Sequence, residues 1–152
     1  MEIVTDGLAF PEGPVAMADG TIILVEIRRQ TLSRVHPDGR IEVIAHLGGG
    51  PNGTAVGPDG MIYVCNNGGF VWTQGDGITR PIGTPDDYIS GSIQRVDPAT
   101  GAFETIYDSC NGHPLRGPND IVFDAEGGFY FTDLGKSTPE YVHHGAFYYA
   151  KA

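Results

Sequence analysis

A chain of 152 residues has the length of a single domain. Its 23 Gly and 11 Pro, beside 40% hydrophobic residues and no low-complexity tract, stay below the level of a disordered chain and point to many tight turns between short strands. A net charge of −10, with only nine Lys and Arg and no basic cluster beyond the Arg28-Arg29 pair, excludes a basic stripe for nucleic acid or for an anionic membrane surface.

The opening MEIVTDGLAF has neither a basic leader region nor a long apolar core, so no signal peptide is expected. No apolar run reaches the length of a membrane span. Cys65 and Cys110 are too far apart for a C-x-x-C pair and read as buried, reduced thiols. The expectation is a soluble, cytoplasmic chain.

Taken in order, Glu2–Thr5 reads as a short strand without a local partner. Val15–Ala18 and Thr21–Ile27 follow across the Asp19-Gly20 turn, then Thr31–His36 and Ile41–Ala45 across Pro37-Asp38-Gly39. Both Asp-Gly pairs suit the positive φ angles of tight hairpins. Gly53–Gly57 and Met61–Cys65 flank Pro58-Asp59-Gly60. The stretch Asn66–Ser90, rich in Gly, Pro and Asp and carrying the single Trp72, reads as a long irregular insertion, a lid or rim. Ser92–Asp97 and Phe103–Tyr107 resume the pattern, and Ile121–Phe123, Phe129–Thr132 and Ala146–Lys151 complete it.

Three stretches share one layout: Gly13–Glu26, Gly50–Asn66 and Arg116–Asp133. Each has a Gly-Pro step, a short apolar run, an Asp-Gly or Glu-Gly turn, then a β-branched or aromatic run. Four-stranded antiparallel units repeating about every 40 residues are the blades of a β-propeller. The expected fold is therefore all-β, one partial propeller domain over residues 1–152 with two complete blades and a third lacking its last strand. Closed propellers use roughly four to eight blades. The chain is expected to be a fragment of a longer propeller, or to self-associate through its open edges.

In a propeller the first strand of each blade lines the central channel, so residues at its start converge on one point. Glu12, Asn52 and Asn119 hold this position in the three repeats. Carboxylate and amide oxygens on a common axis suit a hard cation such as Ca²⁺, Mg²⁺ or Mn²⁺, although the same residue types beside Gly-Pro also shape turns. Other motifs carry less. GGGPNG at Gly48–Gly53 matches a dinucleotide fingerprint in form only, because Pro51 removes an amide and no helix can follow. There is no G-x-S-x-G, so a serine nucleophile has no support. His143 and His144 read as turn or solvated residues, and Asp76, Asp86 and Asp87 as surface charge.

Phe10-Pro11-Glu12-Gly13-Pro14, Gly50-Pro51-Asn52-Gly53, and Gly117-Pro118-Asn119-Asp120 followed by FYFTDLG together resemble the SMP-30/gluconolactonase/luciferin-regenerating-enzyme family, of which regucalcin-like proteins are members. The resemblance, which covers essentially the whole chain, implies the N-terminal half of a six-bladed propeller. It implies a divalent-metal-dependent hydrolase acting on a small-molecule lactone, with Ca²⁺, or Mg²⁺, Mn²⁺ or Zn²⁺, in the channel. Glu12 matches the family's metal-binding Glu, Asn119 an Asn that binds metal or substrate, and Asn52 lies at the corresponding loop of the second blade. Arg116 matches a substrate-binding Arg, but stands three residues before Asn119 where relatives have two. An Asn and an Asp, the latter the general base, would come from residues after Ala152. Trp72 and Tyr88 are expected to roof the channel. Alternatives are a non-catalytic interaction scaffold and a phosphotriester hydrolase with the same metal cage.

Overall fold

Aspartates decide where the strands turn. Asp19, Asp38 and Asp59 each accept, through Oδ1, the backbone N–H two residues on, from Thr21, Arg40 and Met61. The intervening Gly20, Gly39 and Gly60 have φ of 83°, 84° and 78°, the left-handed region that glycine enters without a Cβ penalty. Asp97 and Asp124 repeat the device on Ala99 and Glu126. The computed structural model describes all 152 residues, and its regular elements are all β-strands.

The first sheet runs in chain order: β1 (Pro11–Ala16), β2 (Ile22–Glu26), β3 (Thr31–Val35) and β4 (Ile41–His46). Next come β5 (Pro51–Val56) and β6 (Ile62–Asn66), a separate hairpin of β7 (Val71–Gly75) and β8 (Ile78–Gly83), then β9 (Ser92–Val96) and β10 (Phe103–Tyr107). The second sheet is β5-β6-β9-β10, with the β7–β8 hairpin standing outside it. After the short pair β11 (Ser109–Cys110) and β12 (His113–Pro114), the third sheet is formed by β13 (Pro118–Phe123), β14 (Gly128–Asp133) and β17 (Ala146–Lys151). Between β14 and β17 lies the small ribbon of β15 (Lys136–Ser137) and β16 (Val142–His143). All pairings are antiparallel.

The middle sheet is buried on both sides, and period-2 alternation shows how. On β6, Ile62 and Val64 join Ile23, Val25, Leu32 and Val96 in one apolar cluster. Tyr63 and Cys65, pointing the other way, join Ile93, Leu115, Ile121, Phe129 and Phe131 in a second. The first cluster ties the first sheet to the second, and the other ties the second to the third.

Several expectations need correction. Glu2–Thr5 is not a strand; with no neighbour to complete a ladder it stays largely exposed, tied by Thr5 Oγ1 to the Gly39 carbonyl at 2.8 Å. The insertion is not wholly irregular, since β7 and β8 pair around Asp76-Gly77 at φ of 53° and 73°. Cys65 is buried, but Cys110 is only half-buried. The first strand of each repeat also starts earlier than its apolar run, at Pro11, Pro51 and Pro118. Proline is admissible as the first residue of a strand, where no ladder donor is needed.

Candidate functional site

Each of these proline-led strands is irregular just inside its start. The register shifts between Glu12 and Val15, between Pro51 and Gly53, and between Pro118 and Ile121. Such a bulge bends the strand and re-aims the side chains at it. Two glycines then let the strands crowd together. A Cβ on Gly13 would stand 2.7 Å from the Thr54 nitrogen, and one on Gly53 would stand 2.3 Å from the Asn119 carbonyl oxygen. Thr54 Oγ1 also donates to the Gly13 carbonyl. The result is β1 against β5 against β13.

Glu12, Asn52 and Asn119 line one cavity of about 480 Å³ at this junction, together with Asp120, Thr54 and the adjoining backbone. Asn52 Nδ2 donates to Asn119 Oδ1 at 2.7 Å, across 67 residues of sequence. Asn52 is 7% exposed, Asn119 is half-buried, and Glu12 and Asp120 are open to solvent. The donors are thus two carboxylates and two amide oxygens, with no thiolate or imidazole. Nowhere in the chain do three or more His, Cys, Asp or Glu gather into a cluster able to hold a metal, so the amides are needed to complete a cation site. An all-oxygen set bearing two negative charges fits a hard divalent cation.

Arg116, Trp72 and Tyr88 do not line this cavity. Arg116 sits in the turn before β13, where its N–H donates to Asp133 Oδ2 at 2.8 Å and its carbonyl accepts the Tyr88 hydroxyl at 2.7 Å. Trp72 packs on Phe10 with ring centroids 4.9 Å apart, and on Phe70 at 5.8 Å. Its packing therefore fastens the β7–β8 hairpin to the segment leading into Glu12.

Two kinds of residue escaped the sequence reading. One is Asp120, the second carboxylate of the cavity. The other is a clamp, recurring once per sheet. Glu26, Asn66 and Asp133 are the last residues of β2, β6 and β14, paired opposite Pro11, Pro51 and Pro118. Each is buried and holds backbone N–H groups of the loop that enters the neighbouring proline-led strand. Glu26 accepts from Ala9 at 2.7 Å, while Asn66 Oδ1 accepts from Gly50 at 2.8 Å. Asp133 accepts from Arg116, Gly117 and Gly135 at 2.8, 2.6 and 2.8 Å. The shared signal was the polar residue closing each apolar run: Val25-Glu26, Cys65-Asn66, Thr132-Asp133.

Near this end of the sheets, burial pushes the Cys65 thiol well up, reinforced by the Asp120 and Asp133 charges, which makes it an inert packing group. Lys136 moves down to about 8 because burial strips its ammonium of water, partly offset by Asp133.

The family model described as SMP-30/Gluconolactonase/LRE-like region matches residues 10–152. A gluconolactonase of Zymomonas mobilis is 27% identical, over 88% of this chain and 35% of that protein. A solved gluconolactonase from Xanthomonas campestris superposes with a TM-score of 0.68 at 21% identity, covering 94% of this chain and 44% of that one. Virginiamycin B lyase from Staphylococcus aureus superposes at 0.58 with 16% identity, covering 97% of this chain and 43% of that one. At these identities the two structural likenesses speak to the propeller-type fold alone. The chain spans about a third of the length of the curated relative it matches. With the family's pattern running through all three sheets, the chain belongs to the SMP-30/gluconolactonase/LRE-like family.

Proposed function

We propose that the three sheets are blades of a six-bladed propeller and carry part of the site of a divalent-metal-dependent hydrolase of cyclic esters. The observation that carries this reading is the meeting of Glu12, Asn52, Asn119 and Asp120, from three separate sheets, around one oxygen-lined cavity. Glu12 and Asp120 would neutralise a cation, and the amide oxygens of Asn52 and Asn119 would complete its near side. The Asn52–Asn119 hydrogen bond fixes how both amides present themselves. The donor set favours Ca²⁺, Mg²⁺ or Mn²⁺ over Zn²⁺, whose sites are built mainly from Cys and His. When bound, such a cation supplies Lewis acidity toward a lactone carbonyl and lowers the pKa of a bound water. Arg116 serves in this reading as a loop anchor behind Asn119.

Calorimetric titration of Ca²⁺ and Mn²⁺, with a lactone-hydrolysis assay run with and without chelator, tests the proposal. The expected result is saturable cation binding that Glu12→Gln and Asn119→Ala each weaken roughly tenfold or more, by loss of one charged or polar ligand. Hydrolysis, where measurable, should fall in parallel. Unchanged binding in both variants would leave the non-catalytic scaffold standing instead. A phosphotriester panel separates the two hydrolase readings.

A further inference from the structure

A second cavity, of about 310 Å³, lies between the β7–β8 hairpin and the β15–β16 ribbon. Its wall includes Asn67, Phe70, Pro81, Lys136 and His143. Gly117 forms part of it, whereas Asn119, two residues on, belongs to the first cavity, so the two sites flank the start of β13.

Two donors of this wall, on Lys136 and Asn67, have hydrogen-bonding capacity unmet. Lys136 is only 6% exposed, and its ammonium is met by the Gly69 carbonyl at 2.7 Å and by the faces of Phe70 and Tyr88 at 4.4 and 5.1 Å. None of the chain's ion pairs includes it. The acid whose charge acts on it, Asp133, is already engaged by three backbone N–H groups. The β16 residue opposite Lys136 is His143, which supplies no negative charge. Independently, Asn67 is 1% exposed and its Nδ2 has no hydrogen-bond partner. Its Oδ1 is spent on the Gly69 N–H at 2.8 Å, so the amide cannot simply flip to relieve the orphan. A buried ammonium without a counter-charge and a buried N–H without any partner in one cavity are each costly.

We propose that this cavity binds a small molecule through an oxyanion, a carboxylate or phosphate, taken by Lys136 Nζ and Asn67 Nδ2. Its volume suits a sugar acid or a phosphate ester, at the small end of ligand pockets. The aromatic faces of Phe70 and Tyr88 hold the ammonium in place while leaving donor capacity free. The inference stands apart from the hydrolase reading and requires no metal.

The test is calorimetric titration of the full chain with gluconate, acetate and inorganic phosphate, and with glucose as an uncharged control. We expect saturable binding of gluconate or phosphate and none of glucose, the tighter of the two identifying the class of oxyanion. Lys136→Met should weaken binding roughly ten- to hundredfold, the scale of a lost charge-assisted hydrogen bond. Asn67→Asp should do the same while keeping an acceptor for the Gly69 N–H. In the wild-type chain, the NMR titration midpoint of the Lys136 ε-carbon should rise on adding the anion, a readout that needs no variant to fold. Absence of saturable binding, or equal affinity in wild type and Asn67→Asp, overturns the proposal.

Discussion

Burial strips Lys136 of water while leaving its ammonium one carbonyl and two ring faces, and so its pKa falls to about 8. The sign of the consequence follows from comparison with the unfolded chain, where the group titrates near its ordinary 10.5. Between those values the unfolded chain holds a proton that the folded chain has released, so this residue's contribution to stability rises with pH across that window. Below it, the folded chain bears the cost of a desolvated charge. Lys136→Met, which keeps the stem and removes the charge, should therefore gain more over wild type at pH 7 than at pH 10. Urea midpoints at the two pH values, in buffer free of carboxylate and phosphate, measure this. A difference that does not change with pH would show that the charge carries no such cost.

At the scale of elements, the proline-led strands depend on the clamps opposite them. Proline supplies no N–H to the ladder, so the chain entering β13 is held instead by the Asp133 carboxylate on the Arg116 and Gly117 N–H groups, and the same carboxylate takes the Gly135 N–H beyond β14. Asp133→Ala leaves those donors unsatisfied in a buried setting and should destabilise the chain by roughly 3 kcal/mol. By loosening the approach to Asn119 it should also weaken any cation held at the proposed site; chemical denaturation and calorimetry on one sample follow both. Turns and strand cores were legible in the sequence because Asp-Gly signals and apolar runs are local properties. The strand starts were not, because proline reads as a breaker unless the opposing residue is known. The β7–β8 hairpin was hidden for a similar reason, its Gly- and Pro-rich composition resembling loop more than strand. For the site, aligning the repeats was enough to nominate Glu12, Asn52 and Asn119. Simple alternation sends Asp120 to the opposite face from Asn119, and only the bulge between Pro118 and Ile121 brings both to one cavity. Arg116 stands outside this cavity, with its backbone amide held by Asp133 and its carbonyl by Tyr88, contacts that sequence distance does not reveal.

Over the whole molecule, apolar surface is unevenly covered. Both faces of the middle sheet are packed, whereas the third sheet leaves Val122 at 61%, Phe147 at 68% and Tyr149 at 50% exposed. Tyr130 stacks on Phe147 and packs on Tyr149 across β14 and β17, making one aromatic patch. β17 is also the outer strand of its sheet, with a row of ladder groups unpaired. Sedimentation velocity should show association that grows with concentration, and Phe147→Glu should shift the chain toward monomer. A wild-type chain that stays monomeric throughout the dilution series would mean the patch is not adhesive.

The donors around Asn52 come from separate sheets, so their cavity straddles two seams. Ladder hydrogen bonds hold each sheet internally, but neighbouring sheets meet through side chains and through the bare backbone at Gly13 and Gly53. Rocking one sheet on the next would spread these oxygens without breaking a single rung of any ladder. An ion gripped there would work as a rivet, and how tightly it is held would gauge how far the sheets are splayed.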